Sequence, residues 1–272
     1  MRFGIIGGTG FYAIGEAVET RSVETAYGTV LVDLTPFGGE EVAFIARHGR
    51  EHAVPPHQIN HRANIAALRA LGVERILASA AVGSLNSSIQ PGELALPSQF
   101  IDFTHGRTST FFEGARGQSP FGDSPSVRHV DMTEPYCPDL REAMQRAGRF
   151  LEQALHPSVV YVCTQGPRFE TPAEIEMFRR LGGDVVGMTG VPEAPLAREA
   201  GLCYAALAVV ANYAAGMSQE PLRHGQISSH MAGQVAVVKR VFADMIAAWK
   251  EPPAPSPGAG RCGNCAATGD AE

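Results

Sequence analysis

Apolar segments of two kinds alternate along most of the chain, and this alternation constrains the fold more than any other feature. Short β-branched runs such as RILASAAVG and VVYVCTQG are typical of buried strands. Helical markers lie between them and are clearest in TPAEIEMFRRLG, where Thr171 is a predicted N-cap, Pro172 fits the first turn and Glu174 completes a capping box. Strands that alternate with helices predict an α/β fold, a single domain with a mixed, mostly parallel twisted central sheet flanked by helices.

The predicted elements fill residues 1–250, and the 272 residues of the chain suffice for one large domain. The remaining predicted elements are a β-hairpin over TVLVDLTPFGGEEVAFIARHG, strands over ELALPSQFIDFT, DVVGMT and CYAALAVVAN, and helices over NHRANIAALRALG, CPDLREAMQRAGRFL, VPEAPLAREAG and from about Ser229 to Trp249. The long polar segment from Thr104 to Arg128 is typical of a lid, an interface arm or a disordered loop. Residues 251–272 are rich in Pro, Gly and Ala, so we expect a disordered tail.

Charge and hydropathy exclude several classes of partner. The formal net charge is -6, from 22 Lys and Arg against 28 Asp and Glu, so no basic surface is expected for nucleic acid or for an anionic membrane. No apolar run reaches the roughly 20 residues that span a bilayer, and no signal-peptide pattern opens the chain. We therefore expect a soluble protein located in the cytoplasm.

The cysteines do not predict a metal site. Cys137, Cys163 and Cys203 lie in or beside apolar segments, where free thiols usually act as small core side chains. Cys262 and Cys265 form half of a zinc motif in the tail, but no second pair of ligands stands at a matching spacing. We expect neither a metal nor another cofactor.

The opening RFGIIGGTGFY is a strand that runs into glycines, as in a dinucleotide-binding turn or an anion cradle. Its glycine spacing does not match G-x-G-x-x-G, and the stretch after Gly10 is too short and too broken by Gly15 for the crossover helix that a dinucleotide fold requires. A nicotinamide-dependent oxidoreductase is therefore disfavoured.

Small and polar residues follow one predicted strand after another. These strand ends are Gly7 to Gly10, Arg47 with His48, Ser79 to Ser84, Thr164 to Glu170, Gly187 to Gly190, and Asn212 to Gly216. Ligands of α/β sheets bind beyond the carboxyl ends of strands, and these residues favour an anion site there. Simpler interpretations stay open. Arg47 could pair with a carboxylate, and Asn212 could form a turn. Glu170 could place a favourable negative charge near the N-terminus of the helix that follows Thr171.

The order of these motifs resembles the trimeric purine nucleoside phosphorylase and methylthioadenosine phosphorylase family. The resemblance covers nearly the whole chain and includes ARHGREH, INHRANIAALRALG, AVGSL, PGELALPSQFIDFT, MTEPYCP, QGPRFETPAE and GMTGVPEAPLARE. It implies a homotrimer with sites near subunit contacts. It also implies phosphorolysis of a purine nucleoside to the free purine and a pentose 1-phosphate, with inorganic phosphate as co-substrate and no metal.

The resemblance also implies roles for single residues. The phosphate-binding residues would be Thr9, Arg47, His48, Ala80, Ala81 and Thr189, with Ala80 and Ala81 acting through their backbone N–H groups. Met188 would lie under the ribose and Phe169 against the base, and His129 would approach the 5' end of a neighbouring subunit's ligand. Glu170, Asn212 and His48 would carry the catalytic contacts, with Ala214 beside the base.

Two positions favour a 6-oxopurine over a 6-aminopurine. Methylthioadenosine phosphorylases typically have aspartates where this chain has Asn212 and Ala214. The chain resembles instead the 6-oxopurine enzymes, in which a Glu in GPxFE accepts N1–H and an Asn amide contacts O6 and N7. A carboxylate at Glu170 would face the lone pair of adenine N1, acceptor against acceptor, which buried sites strongly disfavour.

The sequence leaves the 5' substituent open. The run of the chain resembles S-methyl-5'-thioinosine phosphorylases, yet the segment expected to line the 5' pocket offers both Ile227 and the polar His224 and His230. S-methyl-5'-thioinosine is the leading substrate, and the alternatives are 5'-methylthioadenosine and inosine or guanosine. A non-catalytic nucleoside-binding protein on this fold is a further alternative.

Overall fold

The computed structural model describes residues 1–114, 121, 127–218 and 224–249, and for residues 224–230 and 232 it describes the backbone alone. The strands are β1 Phe3–Gly7, β2 Glu19–Thr25, β3 Gly28–Phe37, β4 Glu40–Ala46, β5 Arg75–Ser84, β6 Leu94–Phe103, β7 Leu155–Thr164, β8 Val185–Gly187 and β9 Cys203–Tyr213. The α-helices are α1 His61–Ala70, α2 Pro138–Phe150, α3 Pro172–Arg180, α4 Gly190–Glu199 and α5 His224–Ala247. A short 3₁₀ turn, Pro56–Gln58, precedes α1.

Within the described part of the chain, the nine strands form one sheet in the order β2-β3-β4-β1-β5-β8-β7-β6-β9. The strand β5 also pairs with β9, so β5, β8, β7, β6 and β9 form a closed ring of strands. Parallel pairing joins β1 to β4 and β5, β5 to β9, β6 to β7 and β7 to β8, whereas the other pairings are antiparallel. The predicted mixed α/β class is confirmed, and the ring is a feature that the sequence pattern does not predict.

Helices cover both sides of the sheet because both faces of its strands are apolar. On one side, α2 and α5 bury Leu140, Met144 and Phe242 against β1 and β9. On the other side, α1 and α4 bury Leu68 and Leu196 in a second core cluster. Burial of apolar side chains on both sides holds the strand ends rigidly in place.

Most predicted elements occur where the sequence places them. The structure of α3 includes the Thr171 cap and the reciprocal Glu174 bond of a capping box. The helix α5 begins at His224, earlier than the predicted start at about Ser229. The strand β2 was not predicted: its ETRSVET sequence is polar and largely exposed, and it pairs with β3 only at the edge of the sheet.

Other predictions meet the structure only in part. Cys137, Cys163 and Cys203 are buried, as predicted. Phe111 and Phe112, from the long polar segment, are also buried, but most of residues 115–126 and the whole tail, 251–272 with Cys262 and Cys265, lie outside the described residues. No helix of the described chain is long and apolar enough to cross a membrane, and no cluster of possible metal ligands occurs in that part.

Candidate active site

A cavity of about 470 Å³ lies where strands β1, β4, β5, β7, β8 and β9 end. Eleven of the predicted site residues line it: Thr9, Arg47, His48, Ala80, Ala81, Phe169, Glu170, Met188, Thr189, Asn212 and Ala214. His129 does not line it and is exposed. The strand ends therefore bring together residues that are more than 200 positions apart in the chain.

Gly8 allows the first strand to approach β5 closely at one end of the cavity. Its N–H donates to Ser79 Oγ at 2.9 Å. A Cβ at Gly8 would lie 2.6 Å from Ser79 O and 2.9 Å from Arg47 Nη1, which is closer than real contacts allow. The glycine is therefore required by packing around Arg47, beside the Thr9 that lines the cavity.

Arg47 pairs with a carboxylate, and it also lines the cavity. Its Nε and Nη2 donate to the two Glu193 carboxylate oxygens at 2.8 and 2.7 Å, and its Nη1 donates to Ser79 O at 2.7 Å. Since a guanidinium has five N–H donors, one hydrogen on each terminal nitrogen is left for a ligand. The two interpretations of Arg47 from its sequence are therefore compatible.

Glu193 is fully buried and fixes the orientation of Arg47. Tyr204 donates its hydroxyl hydrogen to Glu193 Oε2 at 2.7 Å, and His61 Nδ1 lies 3.6 Å from Oε1. Burial acts to raise the pKa of Glu193, but the charge and hydrogen bonds of Arg47 outweigh it and hold this pKa well below its usual range. Glu193 is thus an anion that balances much of the Arg47 charge, so a bound anion depends on directed hydrogen bonds as well as on charge.

His48 is held as a neutral ring in one tautomer. Its Nδ1 lies 2.9 Å from Val54 O, and because a carbonyl only accepts, Nδ1 carries the hydrogen. Burial and the neighbouring Arg47 charge lower the pKa of His48 to about 4. Its Nε2 is therefore an acceptor near neutral pH and can accept a hydrogen bond from a protonated phosphate oxygen. A bound phosphate dianion would favour the protonated ring instead.

Thr189 also lines the cavity and is the N-cap residue of α4. The backbone N–H groups of Thr189 and Gly190 donate to the buried Tyr161 hydroxyl at 3.3 and 3.4 Å. Tyr161 thereby holds the backbone of this turn. The Thr189 hydroxyl makes no side-chain bond at the helix cap, so it is a further donor for an anion.

Glu170 also lines the cavity, and it is buried together with its partner Thr164. Thr164 donates its hydroxyl hydrogen to Glu170 Oε1 at 2.6 Å, which leaves Oε2 to accept from a ligand. Phe169 is 38% exposed and lines the cavity next to it. An acceptor beside an aromatic ring suits a flat heterocycle that donates N–H.

Asn212 reaches the cavity through an irregularity in β9. The register between β5 and β9 shifts after Val82, so Gly83 pairs with Asn212 and Ala211 is skipped. Such bulges redirect side chains. Asn212 Nδ2 donates to Tyr213 O at 2.7 Å, which leaves one N–H and the amide oxygen for a ligand.

Sequence reasoning missed Glu193 and Arg107, which bond residues of the cavity from outside it. Glu193 lies within a predicted helix, and its residue type gave no sign of burial because its partner Arg47 is 146 positions away. Arg107 lies in the long segment after β6, where a single arginine carries no pattern. Neither residue had a local signal that could have identified it.

The nine-stranded sheet and the cavity at its strand ends define an α/β protein whose cavity combines hydrogen-bonding groups with an aromatic ring and an apolar wall. The family model described as the Phosphorylase superfamily matches residues 2–247, and the chain belongs to this superfamily. The predicted family resemblance is thereby confirmed.

Individual relatives are similar over most of the chain. A 6-oxopurine nucleoside phosphorylase from Pyrococcus furiosus is 53% identical over 227 residues, which cover 83% of this chain and 84% of that protein. A probable S-methyl-5'-thioinosine phosphorylase from Methanopyrus kandleri is 52% identical over 215 residues, which cover 79% of each. A solved methylthioadenosine phosphorylase from Schistosoma mansoni, in complex with adenine, matches with a TM-score of 0.83 and 32% identity over 90% of this chain and 91% of that one.

Proposed function

We propose that the protein cleaves the N-glycosidic bond of a 6-oxopurine nucleoside with inorganic phosphate, in purine salvage. The leading substrate is S-methyl-5'-thioinosine, which would give hypoxanthine and 5-methylthioribose 1-phosphate. One observation carries the proposal: a buried carboxylate, Glu170, lines the same cavity as the Arg47, His48 and Thr189 cluster. Two relatives with 53% and 52% sequence identity are named as a 6-oxopurine nucleoside phosphorylase and a probable S-methyl-5'-thioinosine phosphorylase.

The chemistry follows from the charges of the reaction. As the C1'–N9 bond breaks, its electron pair goes to the purine and the sugar becomes cationic, while a phosphate oxygen forms the new bond to C1'. Phosphate held by Arg47, His48, Thr9, Thr189 and the backbone of Ala80 and Ala81 would stabilise that cation and be fixed for attack. The proton lost by monohydrogen phosphate is balanced by the proton gained by the free purine.

The base would be read by Glu170 and Asn212. Glu170 Oε2 would accept N1–H, and the remaining Asn212 N–H would donate to O6. The Asn212 amide oxygen would accept a hydrogen bond from a protonated N7, which stabilises the departing purine. Ala214 is buried and offers no carboxylate for a 6-amino group, so this arrangement favours the 6-oxopurine.

Apolar residues beside Met188 favour an apolar 5' substituent on the nucleoside. Met188 Sδ and Pro56 Cβ lie 2.5 and 3.5 Å from the position that a Gly166 Cβ would take, so both pack around one point of the cavity rim. Ala53, Val54 and Pro55 continue this apolar wall. An apolar wall next to the expected ribose platform supports a methylthio group. The side chains of His224, Ile227 and His230 lie outside the described residues.

A substrate panel with and without phosphate tests the function. S-methyl-5'-thioinosine, 5'-methylthioadenosine, inosine and guanosine are compared by kcat/KM for purine release. We expect release only with phosphate and fastest with the methylthio-inosine. Faster cleavage of the methylthio-adenosine would overturn the role of Glu170, and binding without phosphate-dependent release would indicate a non-catalytic protein.

Replacement of Asn212 tests how the base is read. Asn212→Asp exchanges the amide donor for an acceptor, which disfavours O6 and favours a 6-amino group. We expect the ratio of kcat/KM for the 6-oxo and 6-amino methylthio nucleosides to fall by roughly 10-fold to 100-fold, as for the loss of one buried hydrogen bond with a ligand. An unchanged ratio would mean that Asn212 does not contact the purine.

We also propose a homotrimer in which His129 reaches the site of a neighbouring subunit. His129 is exposed here, which leaves it available for such a contact. Sedimentation velocity would measure the assembly, and His129→Ala should raise the nucleoside KM only if the trimer forms. The cytoplasmic location and the lack of nucleic-acid partners, membrane partners and metal or cofactor requirement stay predictions.

A further inference from the structure

Arg107 makes an unusual set of bonds at the rim of the cavity. Its Nη1 donates to Met188 O at 2.8 Å and to Val191 O at 2.7 Å. Its Nη2 donates to Thr164 O at 3.2 Å and to Gln165 O at 2.7 Å. Its Nε donates to Gln165 Oε1 at 3.1 Å, so all five guanidinium hydrogens have acceptors.

These acceptors belong to two separate strand ends. Thr164 and Gln165 lie at the end of β7, whereas Met188 and Val191 follow β8 and start α4. All but one of the acceptors are backbone carbonyls, and no carboxylate pairs with Arg107 among the residues that the structure describes. The guanidinium therefore fixes the backbone of one strand end relative to the other.

Each of these strand ends carries a group that the proposed function uses. The Thr164 hydroxyl holds Glu170, the expected acceptor for the base. Met188 lines the cavity as the expected platform for the ribose, and Thr189 follows it directly. A change in the distance between these strand ends would move the base contact relative to the sugar.

The segment that carries Arg107 is itself anchored. His105 N donates to Gln165 Oε1 at 3.1 Å, and Glu199 on α4 accepts from Thr110 Oγ1 and from Phe111 N, both at 2.7 Å. Arg107 therefore approaches the strand ends from a fixed backbone. A planar, rigid guanidinium can bond acceptors in several fixed directions, which an ammonium on a flexible stem cannot do.

We propose that Arg107 is a positioning residue that sets the spacing between the base-reading Glu170 and the ribose platform Met188. This proposal rests on the proposed function, because it assumes that purine and pentose occupy those places. Arg107 does not line the cavity, so it acts through the backbone that it bonds.

The test compares Arg107→Lys with the matched control Arg141→Lys. Arg141 Nη2 also donates to a backbone carbonyl, Pro157 O, at 2.8 Å. Neither Arg141 nor Pro157 lines the cavity. Steady-state kinetics, the hypoxanthine dissociation constant by calorimetry and the melting temperature are measured for both variants and for the unmodified protein.

We expect Arg107→Lys to lower kcat/KM for the nucleoside by roughly 10-fold to 100-fold, the size typical of misplaced reacting groups. Hypoxanthine binding should weaken, and the preference for the 6-oxo over the 6-amino nucleoside should decrease. The phosphate KM should rise by less than the nucleoside KM, because Arg107 bonds the backbone on either side of Thr189 but makes no hydrogen bond with Arg47 or His48. Arg141→Lys should change none of these quantities.

Two results would overturn the proposal. One is a lower melting temperature with kinetics equal to those of Arg141→Lys, and the other is an equal loss toward phosphate and nucleoside. If Arg107→Lys does not fold, Gln165→Leu removes the Oε1 atom that accepts from Arg107 Nε and from His105 N, and it leaves the four backbone acceptors of Arg107 in place. It should give a smaller loss of the same pattern, and absence of that loss would also count against the proposal. Failure of the proposed function is distinguishable, since the unmodified protein would then release no purine with phosphate.

Discussion

At the scale of single residues, the bond from Thr164 to Glu170 decides the direction of the carboxylate that we propose to read the base. Both side chains are buried, and the 2.6 Å bond occupies one oxygen of the carboxylate. Glu170 also lies just before the Thr171 cap of α3, but the cap is satisfied by Glu174. The carboxylate of Glu170 is therefore not needed for the helix, which leaves it for a ligand.

Thr164→Val tests this bond with little change of volume. The variant removes the hydroxyl and leaves Glu170 Oε1 without its donor, so the carboxylate should lose its fixed direction. We expect the preference for 6-oxo over 6-amino nucleosides to fall by roughly 10-fold to 150-fold, which corresponds to one lost hydrogen bond to a charged group. Thr164→Ser should retain the preference, and equal losses in both variants would contradict the role of the hydroxyl.

At the scale of secondary-structure elements, the start of α4 is joined to β4 and β9 by one buried group of polar side chains. Glu193 comes from α4, Arg47 follows β4, and Tyr204 lies on β9. Removal of one member of a buried ion pair costs about 3–5 kcal/mol, because the other charge is left uncompensated. The group therefore fixes three elements around the expected phosphate site.

Tyr204→Phe removes one donor from this group while it keeps the ring. We expect the free energy of unfolding to fall by about 1–3 kcal/mol, since a buried carboxylate loses a hydrogen bond. The phosphate KM should rise as Glu193 and Arg47 become less well fixed. Urea unfolding and phosphate kinetics measure the two effects.

Tyr136→Phe is the matched control for Tyr204→Phe. Tyr136 is fully buried and packs against Tyr204, with ring centroids 5.9 Å apart. Its hydroxyl has no hydrogen-bond partner within the described part of the chain. Its removal should leave stability unchanged or raise it, and an equal loss in both variants would show that removal of a buried hydroxyl, and not loss of the bond to Glu193, accounts for the Tyr204 effect.

At the scale of the whole molecule, His48 makes stability depend on pH. Its pKa is about 4 in the folded protein, against 6.5 for the exposed side chain. Between these values the unfolded chain binds more protons, so the stability present above pH 6.5 is lost as the pH falls toward 4. The shift corresponds to about 3 kcal/mol.

His48→Asn tests this dependence, because Asn keeps a donor for Val54 O but does not titrate. Urea unfolding from pH 7 to pH 4 should show a shallower loss of stability in the variant. His61 is buried and its pKa is lowered by burial, so part of the loss should remain. Identical pH dependence in the two proteins would show that His48 does not titrate in this range.

Sequence alone predicts what depends on neighbours in the chain. The helix α3 was predictable because Thr171, Pro172 and Glu174 act within one turn. The gathering of the strand ends around one cavity was predictable because glycines and polar residues follow apolar runs. The strand β2 was missed because its polar sequence becomes a strand only through pairing with β3, and Glu193 was missed because its partner is distant in sequence.

The closed ring of β5, β8, β7, β6 and β9 limits how far the cavity can change shape around a ligand. An edge strand of an open sheet can move away on its unpaired side, whereas each of these strands is hydrogen-bonded to a neighbouring strand on both sides. Ala80 and Asn212 lie on strands of this ring, Met188 directly follows β8, and Glu170 is bonded by Thr164 at the end of β7. A displacement of one of these residues by a bound molecule is therefore resisted by the paired strands of the whole ring, and the cavity changes shape less readily than a site on an open sheet edge.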